Sequence, residues 1–234
     1  MVELFQVFLN LTKDMIQIEL SSEIKEACPD LVVLAIACRV QNSLSNESLW
    51  CEIAEEEAVI KASCRLEEIN KWEPIKATRA AYKRLGKDPN RYRPSAEALR
   101  RRILRELPLY RVNTLVDLIN LVSVRSGFSI GGFDAEKIKG NLILGIGREG
   151  ELYHGIGRGE LNIAGLPVYR DLVGGIGTPT SDEERTKLSM NTTSLLMIIN
   201  GYSGSEGLLE AGDYAMDLLR RYASTENVEI KVID

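Results

Sequence analysis

Between Asn113 and Gly140 the chain reads NTLVDLINLVSVRSGFSIGGFDAEKIKG. On a helix, Asp117 and Asn120 stand three apart and share a face, with Leu115, Leu118, Ile119 and Val122 supplying apolar cover. A carboxylate beside an amide can hold a polar ligand, or both can cap neighbouring loops; the spacing allows either. Histidine chemistry is restricted to His154, in the glycine-rich stretch YHGIG, which reads as a loop or strand-end residue rather than a base. Cys28, Cys38, Cys51 and Cys64 form no Cys-x-x-Cys pair, so no structural zinc site and no metal are expected. Gly145-Ile146-Gly147-Arg148-Glu149-Gly150 fits Gly-x-Gly-x-x-Gly after a strand. A dinucleotide site would need a helix to open at its last glycine, and ELYHGIGRG cannot form one. No cofactor is implied.

The elements that must position these residues follow from pattern. Residues 3–9 and 15–20 read as strands about a Lys13-Asp14 turn, and 31–40 as a buried strand, being short, apolar and β-branched. Apolar spacing predicts a helix from Ser48 to about Cys64, and Pro74 suits the first turn of another that stops at Gly86. A basic loop, KDPNRYRP, precedes a helix capped by Ser95 and ended by Pro108. Asn113 caps the next, which Gly127 terminates. Glycines punctuate a β-region from Lys139 to Gly177. Residues 193–200 read as a buried strand, Ser205 starts a last helix to about Tyr222, and VEIKVI is a final strand. The fold class expected is α+β: a single mixed domain over residues 1–234, mainly an antiparallel β-sheet region flanked by helices.

Charge is unevenly distributed. The net charge is −5, yet residues 61–111 hold 15 basic and 6 acidic residues, against 14 basic and 28 acidic in the rest. Held together in space, such a segment makes a positive face that attracts phosphate chains; the same residues can also form an ordinary solvated helical surface. Its cations include Lys83, Arg84, Arg91, Arg93, Arg100, Arg101 and Arg102. The longest apolar run, LVVLAIA, falls far short of the roughly 20 residues of a membrane span, and Glu3 stands where a signal peptide carries positive charge. A cytoplasmic protein with no membrane partner is expected.

The pattern Val-Asp-x-x-Asn, then Gly, then Phe-Asp, then Gly resembles the tRNA-binding and editing module of the bacterial phenylalanyl-tRNA synthetase beta chain, the B-three/B-four domain pair. GKDPNRYRPSAEALRRRIL, Asp171, the run Gly174 to Gly177 and Asp182 to Thr186 resemble its freestanding members, over about residues 60–202. The resemblance implies tRNA as partner, and implies hydrolysis, in trans, of an amino acid wrongly esterified to tRNA. Carried over by motif, it implies a pocket that contains Asn120 and Gly177. On that reading Gly177 and Thr178 supply free backbone N–H groups, Asp117, Asp182 and Thr186 contact the substrate, and the seven cations named above contact the tRNA. Two family residues are replaced: the histidine by Gly131, and the glutamate that reads a tyrosine hydroxyl by Ile199 or Asn200. Nothing resembles an aminoacylating core, so the chain is not expected to charge tRNA alone. Two other readings are a non-catalytic protein of the same fold that binds a free amino acid or a protein partner, and an enzyme acting on a small amino-acyl substrate without nucleic acid.

Overall fold

The computed structural model describes residues 16–234. The strand expected at 3–9 and its turn lie outside the described residues. The first described strand is β1 (Ile18–Leu20), followed by a short helix, α1 (Ser22–Ala27), which the pattern did not reveal. Then come β2 (Val32–Arg39), α2 (Glu47–Ser63), α3 (Glu73–Arg84), α4 (Ser95–Leu104) and α5 (Thr114–Ser126). β3 (Ser129–Asp134) comes next, and the glycine-punctuated region forms β4 (Leu142–Ile146), a small hairpin of β5 (His154–Gly155) and β6 (Gly159–Glu160), β7 (Pro167–Arg170) and β8 (Gly175–Gly177). The chain continues through β9 (Ser194–Gly201), α6 (Leu208–Tyr222) and β10 (Glu226–Ile233).

Two four-stranded sheets carry the fold, in the orders β10-β2-β9-β3 and β1-β4-β7-β8. All their strand pairs are antiparallel except β1 with β4. This is the α+β class. In β2, Leu34, Ile36 and Cys38 enter one core with α5 and α6, while Val33 and Ala35 enter a second with β4 and β7. β9 alternates likewise, with Leu195, Met197 and Ile199 on one side and Leu196 and Ile198 on the other. Burial on both faces explains why these strands read as continuous apolar runs.

Helix ends follow local chemistry. The Asn113 side chain accepts the Val116 N–H at 3.1 Å, and Gly127 closes α5 with φ of +79°. Two expected helix starts are corrected. Ser95 lies inside α4; Pro94 holds the cap position, and the Ser95 N–H donates to the Pro179 carbonyl at 2.8 Å. Ser205 precedes α6, whose cap is Gly207 with φ of +73°. No helix among the described residues is long and apolar enough to cross a membrane.

Candidate functional site

A cavity of about 360 Å³ opens where α4, α5, β3 and the loop after β8 meet. Val112, Val116, Ile119, Ile130, Ile156 and Leu188 form its apolar wall; Ser95, Asn120, Thr178, Ser181, Asp182 and Lys187 supply polar groups. The loop geometry is fixed by Thr178, whose hydroxyl donates to the Ser181 carbonyl at 3.0 Å and accepts the N–H groups of Thr180 and Ser181. Tyr153 donates to the same Ser181 carbonyl at 2.6 Å, and Thr180 shares a 2.8 Å hydrogen bond with the Tyr82 hydroxyl of α3. The turn is thereby tied to helix and hairpin alike.

Asp182 emerges from this turn over β3. Its Oδ2 accepts the Gly132 N–H at 3.1 Å, and no other hydrogen bond among the described residues engages its carboxylate. A Cβ at Gly131 would stand 2.6 Å from the Phe133 ring and 3.3 Å from Asp182 Oδ1; one at Gly177 would stand 2.5 and 3.1 Å from the same atoms. Two bare backbones thus admit the Phe133 ring and the carboxylate between them. The ring fills the space that a histidine at 131 would occupy. Removal from water pushes the Asp182 carboxyl up to about 7, with the Gly132 hydrogen bond opposing. Asn120 projects from α5 into the cavity, and no hydrogen bond among the described residues occupies its amide.

Asn120, Thr178 and Asp182 therefore line one cavity, with Gly177 beneath Asp182. Three expectations are corrected. Asp117 is buried and turned elsewhere: its carboxylate accepts Trp50 Nε1 at 2.8 Å and the Val112 N–H at 3.0 Å, so it holds the loop that carries Val112 to the wall. Thr186 is fully buried and outside the lining, its hydroxyl without a partner among the described residues. The Thr178 N–H, expected as a free donor, is spent on the Ser181 carbonyl at 3.1 Å. No spacing or motif singles out Ser181, Lys187 or Ile156, which the turns bring in from outside α5.

The basic segment divides. Arg100 is buried, stacked 3.7 Å from the Trp72 ring and donating to the Val124 carbonyl at 2.7 Å. Arg101 and Arg79 each meet the fully buried Glu97 at 2.8 Å. Arg102 donates to the Pro108 carbonyl and lies 4.0 Å from the Tyr110 ring. These three predicted contact residues, Arg100, Arg101 and Arg102, are occupied in holding α4. Lys83, Arg84, Arg91 and Arg93 remain exposed, Arg93 also 3.9 Å from Glu97 and only two residues before cavity-lining Ser95. His154 is exposed in the small hairpin, away from the lining. No group of three or more His, Cys, Asp or Glu able to hold a metal occurs among the described residues.

Two sheets packed with helices, and a polar turn over a glycine-rich strand, define an α+β module whose cavity holds the Asn120 amide, unbonded among the described residues, and the Asp182 carboxylate, held among them by the Gly132 N–H alone. A family model described as the B3/4 domain matches residues 77–223, and the chain belongs to this family. Among solved structures the chain is similar to an N-terminal fragment of the phenylalanyl-tRNA synthetase beta-subunit from Pyrococcus horikoshii. The TM-score is 0.51 at 14% identity, over 92% of this chain and 51% of that one, so the likeness is one of fold. The chain spans about half the length of that relative. No curated protein matches.

Proposed function

We propose that the cavity receives the aminoacylated end of a tRNA and hydrolyses the ester. The observation that carries this reading is the pairing of an unengaged Asn120 amide with the Asp182 carboxyl, poised at about 7, in one partly apolar cavity. A base titrating near working pH is best matched to accept and return a proton. Ionised Asp182 takes a proton from a water whose oxygen attacks the ester carbonyl carbon. The Asn120 N–H donates to the carbonyl oxygen as negative charge gathers there. The bond to the ribose oxygen then breaks, and that oxygen takes the proton back from Asp182. Free amino acid and uncharged tRNA leave, and the carboxylate is restored. Lys83, Arg84, Arg91 and Arg93 are assigned to the phosphates of the RNA.

The engaged Thr178 N–H favours a second reading, in which the cavity binds an amino acid or aminoacyl group without cleaving it. One experiment separates the two: measure tRNA affinity and amino-acid release for wild type and Asn120→Ala. Hydrolysis predicts a loss of release of about 100-fold, as for removal of a preorganised donor, at unchanged tRNA affinity. Binding without release by the wild type would support the second reading.

A further inference from the structure

We infer that two copies of this chain join through β10, antiparallel about a twofold axis at Ile230, so that β10-β2-β9-β3 continues into the same sheet of the second copy. Among the described residues β10 pairs with β2 and with no strand on its other edge. An eight-residue edge strand without proline is a ready template for pairing, and proteins that stay single usually shorten, bulge or charge such an edge. Here the bulge is displaced to the start. The register shift lies between Glu226 and Glu229, with Asn227 at φ of +49°, and regular pairing runs from Glu229 to Ile233.

The side chains point to the occupant. Ile230 and Val232 pair with Ile36 and Leu34, which places them on the side of the sheet covered by α6. The helix layer leaves them uncovered: Val228, Ile230 and Val232 are 38%, 52% and 55% exposed. On the twofold axis Ile230 meets its own copy. On the opposite face, the same register sets Glu229 of each copy against Lys231 of the other, whose Nζ also donates to Gln17 Oε1 at 3.2 Å within its own chain. A single choice of register thus joins the two exposed Ile230 side chains and matches both charges. Such cross-strand pairs are the units that stabilise a sheet. The strand is self-complementary, which selects a second copy over an unrelated peptide.

Sedimentation velocity on the full chain tests this. The wild type should approach twice the 26.1 kDa protomer mass as concentration rises. Glu229→Lys and Lys231→Glu should each weaken self-association about tenfold or more by opposing like charges. Mixing the two single variants should restore the dimer as a heterodimer, and the double swap should restore it alone. Far-ultraviolet circular dichroism of each variant checks that the sheet is kept, and heterodimer recovery excludes misfolding as the cause of loss. A wild type that stays monomeric at all concentrations would overturn the proposal, as would single variants that dimerise as well as wild type.

Discussion

Asp182 shows how few atoms the proposed chemistry depends on. Its carboxyl is raised by burial, and among the described residues one backbone N–H, that of Gly132, opposes the shift. The sign for stability follows. The folded state binds this proton more tightly than the unfolded chain, so the stabilising term is complete at acid pH. It declines as pH rises from the ordinary aspartate range toward 7, and is gone above it. Asp182→Asn, which keeps an acceptor for the Gly132 N–H, should raise the melting temperature at pH 8 and change it little at pH 4; equal shifts at both would contradict the assignment. Tyrosine selectivity belongs to this scale too. Asn200 is buried, accepting the Tyr169 hydroxyl at 2.7 Å and donating to the Ser129 carbonyl at 2.9 Å, and Ile199 lies in the core. Neither can read a substrate hydroxyl, and such a reading hydrogen bond is what gives strong discrimination. Tyr-tRNA should therefore be deacylated no faster than other aminoacyl-tRNAs, as a panel of mischarged tRNAs would show.

Elements decide which predicted residues reach the cavity. Gly127 ends α5 in the left-handed region, and a Cβ there would stand 2.6 Å from the Trp72 ring. Gly127→Ala should cost about 2 kcal/mol in urea unfolding, through backbone strain and displacement of the ring on which Arg100 stacks. A loss below a few tenths would contradict that account. α5 was legible in the sequence because both its ends are written in local residue types, Asn113 and Gly127. Asp117 was not, since its partner Trp50 lies 67 residues upstream and no spacing rule links them. The Ser95 cap and the Ser205 start failed because Pro94 and Gly207 hold the cap positions through backbone geometry alone. For Arg101 a local signal did exist: Glu97 stands four residues before it and four after Arg93, the spacing of an ion pair on a helix.

At the scale of the whole molecule, the positive segment is partly turned inward. The charge count found it, but counting cannot tell a cation spent on buried Glu97 from one facing solvent. With four exposed cations assigned to phosphates, tRNA affinity should fall about 100-fold over a fourfold rise in salt. Charge reversal at Arg91 and Arg93 should flatten that dependence, whereas reversal at Arg101 should act mainly by lowering stability. A gel-shift series across salt concentrations distinguishes these outcomes. The alternation that places β2 and β9 between two cores was legible as apolar runs, while the cavity itself required loops from distant parts of the chain to converge.

The central claim is that Asp182 and Asn120 together cleave an aminoacyl ester, and a pH–rate profile of single-turnover deacylation tests it most directly. For the wild type the rate should climb with pH and level off above about 7, as the carboxylate forms. Asp182→Asn should lower the plateau by roughly 10²–10⁴-fold and remove the inflection, while tRNA affinity stays unchanged. A profile with the same inflection in the variant, or a wild type that never exceeds the uncatalysed rate, would contradict the account.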